Sequence, residues 1–376
     1  MNKSIKKHGR DISFLHSKKA TLINFTGSSY HWGCYGTSME IYHTLLEHGY
    51  YVETVDVSTT HKLSPTVEKV GDFDDSEFYQ KFCTNNPALI TALHQSNLVV
   101  VNGEGTLHRL SKGSVNLLYI MYLCKKFLNQ KVVLINFSCF PNGDSSEPNG
   151  ISQIYPNVIK HLDYVTPRDK MTYSILSACN IEAKQSFDCL PRFLNRYNLI
   201  NNHDPKGYIL VSGGVNFGEN RYKLLIDYVR YFLEKNVSVK FLSGAKFTPA
   251  QEDLRLQESL LREFKLSNIE IIQAQTMLEW CEAFQNASFL FSARFHHTIA
   301  ALSIGTPFAY LNSNTPKIDA ILETLNEDPL EYRVNEDDHA HLKDVSLRTL
   351  KYNISNKSHR RVKMMLDLGS ENFITL

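Results

Sequence analysis

Phe289-Leu-Phe-Ser-Ala-Arg-Phe-His-His-Thr298, continued by Ile-Ala-Ala-Leu-Ser-Ile-Gly-Thr-Pro307, contains a strand, a polar turn and a helix in sequence. The apolar run ends near Ser292, and Arg294, His296 and His297 occupy the turn. A short apolar helix is expected from about Thr298, with Gly305 as its stop. Another apolar run, Phe308–Leu311, comes next.

The same alternation extends in both directions. Past residue 206 the expected strands are Tyr208–Ser212, Val237–Leu242, Ile269–Ile272, Phe289–Phe291 and Phe308–Leu311. The expected helices there are about Arg221–Glu234, Pro249–Phe264, Met277–Asn286, Thr298–Ile304 and Pro316–Leu325. In the N-terminal half, Thr21–Phe25, Tyr51–Val57, Leu98–Val101, Lys131–Phe137 and Asp163–Thr166 read as strands. Helical periods cover about Ser38–His48, Val115–Leu128, a segment ending near His161, and Asp169–Cys179. Leu98-Val-Val-Val101 is continuous and β-branched, as a strand buried on both faces should be. Two β-α-β-α series predict an α/β chain with two Rossmann-like parallel-sheet domains facing a cleft. The Asn-rich stretch Arg192–Lys206 is the expected linker. The expected division is residues 1–195, residues 206–340 and a C-terminal helical tail, 341–376, with a helix near Arg360–Leu368.

Composition narrows the function classes. Of 376 residues, 43% are hydrophobic and 21% charged, as in globular chains. Lys+Arg number 40 against 39 Asp+Glu, a formal charge of +1, which argues against a protein that coats nucleic acid. Seven cysteines, at 34, 83, 124, 139, 179, 189 and 281, form no C-x-x-C pair. Buried thiols in a reducing compartment are therefore expected, and no metal-ligand cluster is evident. No apolar stretch approaches the roughly 18–20 residues of a membrane-spanning helix. The N-terminus is basic but lacks the apolar core of a secretory signal, so a cytoplasmic location is the expectation. Lys3, Lys6, Lys7, Arg10, Lys18 and Lys19 read as a solvated tail, with peripheral contact to an anionic inner membrane face as the alternative.

Ligands of open parallel sheets sit beyond the carboxyl ends of the strands, so the polar clusters just after each strand hold the candidate residues. Arg294 offers a donor fork, His296 and His297 titratable rings, and the helix start near Thr298 free N–H groups, which together make an anion site with an acid/base attached. The bland reading is a polar helix cap. In Asn102-Gly-Glu-Gly105, Gly103 and Gly105 permit close backbone approach to a ligand or make a tight turn, and Glu104 can take a proton from a hydroxyl. The segment Thr26–Ser38 supplies Gly33, hydroxyls and His31, with Trp32 as a sugar platform or a core residue. Its spacing is not the G-x-G-x-x-G of a dinucleotide fold, which lowers the case for an oxidoreductase. Arg168 points into the cleft or pairs at a helix end. Gly213 and Gly214, in Ser212–Asn216, cradle a phosphate or make a turn.

Ser292-Ala-Arg-Phe-His-His297, with Ala300-Ala-Leu-Ser-Ile-Gly-Thr-Pro307 behind it, resembles the Arg-x-His signature of the polysaccharide pyruvyl transferase family. The likeness runs over roughly residues 20–312, with a glycine-rich first loop at Gly33, a Gly-Gly-Gly-type turn at Gly103–Leu107 and a later arginine at Arg168. It implies a fold similar to GT-B glycosyltransferases. It also implies transfer of pyruvate, as a ketal, from phosphoenolpyruvate to a sugar of a cell-surface glycan or lipid-linked precursor. Arg294 and His296 match the family's donor-binding pair. Two positions depart: His31-Trp-Gly-Cys34 stands where the family commonly has Asn-x-Gly-Asp, and Glu104 replaces the middle glycine.

On this reading Arg294, Arg168, His297, Thr298, Gly213 and Gly214 bind the donor, His296 is the general acid, and Glu104 or His31 the base. Trp32, Gly33, Gly103 and Gly105 face the acceptor. Phosphoenolpyruvate is a substrate, and neither cofactor nor metal is expected. The sequence also accommodates a GT-B glycosyltransferase that uses a nucleotide sugar with Glu104 as base, and a non-catalytic sugar-binding protein of glycan assembly. It does not encode the oligomeric state.

Overall fold

The computed structural model describes residues 18–29, 31–141, 154–214, 218–246, 251–264, 269–313, 315–334, 344 and 355–376. Lys3, Lys6, Lys7 and Arg10, with most of the loop before Gly150, lie outside these residues. Among these residues ten strands form two all-parallel sheets. The first contains β1 (Lys18–Phe25), β2 (Tyr50–Asp56), β3 (Leu98–His108), β4 (Val132–Phe140) and β5 (Tyr164–Pro167), in the order β2-β1-β3-β4-β5. The second contains β6 (Tyr208–Val211), β7 (Ser238–Leu242), β8 (Ile269–Ile272), β9 (Ala287–Ser292) and β10 (Phe308–Tyr310), in the order β10-β9-β6-β7-β8. The expected two parallel-sheet α/β domains are present.

Helices cover both faces of each sheet, so the central strands are buried throughout. Val99, Val100, Val101, Leu134 and Ile135 in the first sheet, and Leu210, Val211, Phe289 and Leu290 in the second, have at most 1% exposure or none. Each such aliphatic side chain contributes about 1.5–3 kcal/mol on burial. Strand order reverses between β1 and β3 in the first sheet and between β6 and β9 in the second. At such points neighbouring connections leave in opposite directions and a crevice opens at the carboxyl ends. The segments after β1 and β9 carry His31, Arg294 and His296, and the C-terminal half of β3 itself carries Glu104.

Several expected boundaries shift, each for a local reason. The helix after β9 spans Phe295–Ile304, so Phe295, His296 and His297 form its first turn rather than a preceding loop. The helix after β1 spans Trp32–Glu47 and absorbs most of the expected glycine loop, with His31 accepting the Gly33 N–H at its N-cap. β3 does not end at Val101. It runs on through Gly103-Glu104-Gly105 because β4 continues beside it, with a register shift between Glu104 and Leu107. The expected linker begins with a helix, Leu190–Arg196, started by Pro191 and buried through Leu190, Phe193 and Leu194. Between β2 and β3, where the sequence pattern assigns no element, lie three α-helices, Val57–Lys62, Ser76–Asn85 and Pro87–His94, and a 3-10 helix, Val70–Phe73.

The C-terminal helix Ser355–Ser370 touches both domains. Arg361 pairs with Glu327 and Ser358 bonds Asn201 on the second, and Arg192 donates to Ser370. Buried Asn372 then caps the first sheet, accepting from the Asn136 N–H and the Thr166 hydroxyl. Among the described residues no helix is long and apolar enough to cross a membrane.

Candidate active site

A cleft of about 850 Å³ lies between the two crevices, lined by residues of both domains. On the second-domain side Arg294 is the N-cap of the helix Phe295–Ile304. Its Nη2 donates to Asp253 Oδ1 at 2.7 Å, and Asp253 Oδ2 accepts the Gly244 N–H at 2.9 Å. Arg294 Nε has no hydrogen-bond partner among the described residues. Gly244 is required here, because a side chain at that position would run into the guanidinium. A buried, braced arginine with donors left over is suited to hold an anion.

His296 sits one turn-position inside the same helix, with its ring between two groups. Nδ1 is 3.7 Å from Cys34 Sγ, and Nε2 is 3.6 Å from Asp188 Oδ2. Asp188 is fully buried and also accepts from Arg168 Nη1 at 2.8 Å, Thr37 Oγ1 at 3.1 Å and the Leu190 N–H at 2.9 Å. Burial alone would raise its pKa, but His296 and Arg168 more than offset this and hold the carboxyl below the usual carboxylate range. Arg168, 1% exposed, donates through Nε to Ser138 at 2.9 Å and lies 4.2 Å over the Phe295 ring. Lys317, first residue of the helix Lys317–Thr324, adds a third cation to the lining. Burial, and secondarily the charge of Arg168, push its pKa down to about 8.

The first-domain wall carries His31, Cys34 and Glu104. Burial, then the neighbouring His296 and Arg294, lower the His31 pKa well below its ordinary value, so this ring is neutral at pH 7. Burial and the nearby Glu104 carboxylate raise the Cys34 pKa, so Cys34 is a thiol. Glu104 adopts φ 40°, a conformation that favours glycine and costs a non-glycine residue of order 1–3 kcal/mol. The Thr26 hydroxyl and Asn102 Nδ2 donate to its carboxylate. A glycine would be unstrained at this position, and this chain accepts strain to place a carboxylate in the cleft.

The lining includes His31, Glu104, Gly105, Arg168, Arg294 and His296. The other expected residues lie behind it. His297 is fully buried, 3.3 Å from Ser292 Oγ and packed on Trp280 and Phe284. The Thr298 N–H is spent on Arg294 O at 3.2 Å, because the helix begins earlier than expected. Gly213 and Gly214 pack against Leu256 and Ala293, and Gly103 against Phe137. Gly33 gives room to His296, whose ring and Cβ a side chain there would meet. Trp32 is core: its indole N–H donates to Ala274 O at 3.0 Å inside the second domain. Lys246, above Trp32, donates to Gly27 O at 3.1 Å and ties the domains together.

Sequence reasoning missed Asp188, Asp253, Lys317 and Cys34. Only Lys317, at the start of a helix after a strand, carried a local signal. Among the described residues one group has metal-ligand character: the donor atoms of His31, Cys34 and His296 all lie within 4.8 Å of one another.

Comparison with curated proteins gives no match. Among solved structures the chain is similar to a glycosyltransferase from Rickettsia africae, at 13% identity over 94% of this chain and 95% of that one, with a TM-score of 0.55. It is also similar to UDP-GlcNAc 2-epimerase of Methanocaldococcus jannaschii, at 13% identity over 93% and 99%, with a TM-score of 0.53. Anabaena Alr3699/HepE aligns at 10% identity over 95% of each chain, with a TM-score of 0.54. These likenesses show a fold of the GT-B type. The model of the polysaccharide pyruvyl transferase family matches residues 39–315, a span that holds Glu104, Arg168, Asp188, Arg294 and His296. The Arg-x-His segment at the second crevice therefore sits within a match that covers most of the sequence, and the chain belongs to the polysaccharide pyruvyl transferase family.

Proposed function

We propose that the chain transfers pyruvate from phosphoenolpyruvate to two hydroxyls of a glycan sugar, forming a ketal and releasing inorganic phosphate. One observation carries this reading. Arg294 and His296 share one helix start, with Arg168 and Lys317 beside them and Glu104 on the facing wall of the same cleft. Three cations suit a donor with a carboxylate and a phosphate, and a nearby imidazole suits a reaction that begins with protonation of carbon.

In the proposed sequence His296 delivers a proton from Nδ1 to the methylene carbon, which becomes the methyl group. Asp188, on the other side of the ring, steadies the imidazolium. The first sugar hydroxyl bonds to the former enol carbon and gives its proton to Glu104. Phosphate leaves with the electron pair of the C–O bond, stabilised by Arg294, Arg168 and Lys317. The second hydroxyl closes the ketal and gives its proton to the departing phosphate, which leaves as hydrogen phosphate, while the proton on Glu104 returns through solvent to His296. Cytoplasmic action on a lipid-linked or growing glycan, without metal or cofactor, belongs to the same proposal.

Thermal stabilisation of the full chain by phosphoenolpyruvate, and phosphate release with an acceptor glycan, are the expected results. Stabilisation by UDP-, GDP- or CMP-sugars alone would reject the reading in favour of glycosyl transfer.

A pH dependence follows from Lys317. It is charged below about 8 and neutral above it, so donor capture weakens as pH rises through that value. kcat/KM for phosphoenolpyruvate, which reports the free enzyme, should fall on the alkaline side with this midpoint. In Lys317→Arg the alkaline limb should disappear. Persistence of the limb in that variant assigns it to another group.

A further inference from the structure

We propose that His31, Cys34 and His296 form a binding site for one thiophilic divalent cation of the zinc class, and that its occupancy withdraws His296 from catalysis. The site itself does not depend on the pyruvyl-transfer reading; the inhibition does.

The donor set is two imidazoles and a thiol, which selects zinc-like ions over magnesium or calcium. Cys34 Sγ and His296 Nδ1 are 3.7 Å apart. A tetrahedral zinc with Zn–S about 2.3 Å and Zn–N about 2.05 Å needs its sulfur and nitrogen ligands about 3.6 Å apart. His31 brings the third donor atom within 4.8 Å of both. His31 and Cys34 are one turn apart at the start of one helix, and His296 lies in the first turn of another, so rigid elements hold the ligands.

The surroundings also fit. Asp188 Oδ2 lies 3.6 Å from His296 Nε2, the carboxylate-behind-histidine arrangement that orients a metal-binding ring. All three ligands line the cleft, which leaves the fourth coordination position open towards it. His31 Nδ1 accepts the Gly33 N–H, and ligation through that atom gives up one cap hydrogen bond. This is a small loss beside the affinity of a thiolate–imidazole zinc site. On binding, the Cys34 S–H bond breaks, sulfur keeps the electron pair for the metal, and the proton leaves by way of Glu104 to solvent. His296 Nδ1 then holds a metal in place of the proton that it would deliver to the donor.

The test is a Co²⁺ titration of the full chain after treatment with a chelator. One equivalent should produce a near-ultraviolet thiolate-to-cobalt charge-transfer band with the visible bands of tetrahedral cobalt, and Zn²⁺ should abolish both. Cys34→Ser should remove the charge-transfer band and lower Zn²⁺ affinity by at least about 100-fold. His31→Gln should keep the band and weaken binding, which covers the case in which Cys34→Ser fails to fold. Cys83→Ser should change nothing. Absence of the band at one equivalent, or its persistence in folded Cys34→Ser, overturns the site. Stoichiometric Zn²⁺ should stop phosphate release from phosphoenolpyruvate, reversibly with chelator. Bound Zn²⁺ with undiminished turnover overturns the inhibition. If phosphoenolpyruvate is not turned over at all, the function proposed above fails while the cobalt spectrum still decides the site.

Discussion

His296→Asn lowers turnover by about 10²–10⁴-fold, the usual range for loss of a positioned general acid, and leaves stabilisation by phosphoenolpyruvate in place. Donor charge is met by Arg294, Arg168 and Lys317, none of which the substitution removes. The asparagine amide fills part of the ring's space near Cys34 but cannot deliver a proton to carbon. Phosphate release at saturating donor measures the first effect, and a thermal shift with phosphoenolpyruvate the second. If donor-induced stabilisation vanishes and turnover falls no further than binding explains, His296 is a binding residue and the proton comes from elsewhere.

Asp188→Asn costs about 3–5 kcal/mol of folding stability, the scale for removing one partner of a buried ion pair. The side chains of Arg168 and Asp188 are 2% and 0% exposed, so water cannot take over from the missing carboxylate. Because its folded pKa lies below the ordinary value, Asp188 contributes stability that is fully present above the unfolded carboxylate range and is lost as pH falls through the folded value. The acid arm of the stability profile should therefore flatten in the variant. Urea unfolding at several pH values reads both effects. Arg168→Met combined with Asp188→Leu should recover part of the stability and none of the turnover, since it removes the unpaired charge without restoring support for His296. Equal stability of wild type and Asp188→Asn would show that the pair does not hold this region together.

The alternation of apolar runs and helical periods made the two sheets legible, because parallel strands buried on both faces have few alternatives. Arg294 and His296 were legible because they follow a strand, where a parallel sheet opens, and Glu104 because it follows the apolar run Leu98–Val101. Asp188 was not. It stands in Ser186-Phe-Asp188 with no periodic context, and only the fold brings it to Arg168 and His296. Asp253 was hidden for the same reason, since its helix reads as an ordinary amphipathic surface element and its tie to Arg294 spans two connections. Glycines misled at two places. In the Trp32–Glu47 helix, Gly33 and Gly36 are there for close contacts with His296 and Leu190, not to form a loop. In β3, Gly103 gives room to Phe137 while the ladder with β4 carries the strand onward.

Trp32 belongs by sequence to the first lobe and by packing to the second, where Ala274 O accepts its indole N–H. The adjoining residues on either side, His31 and Gly33, meet His296. The peg that joins the halves is thus also the jig that aligns their reactive groups. Recombination between distant relatives cannot exchange one half freely: a grafted partner without the matching socket would leave a bare indole on one piece and a hollow on the other, and would set the imidazoles out of register at the same stroke.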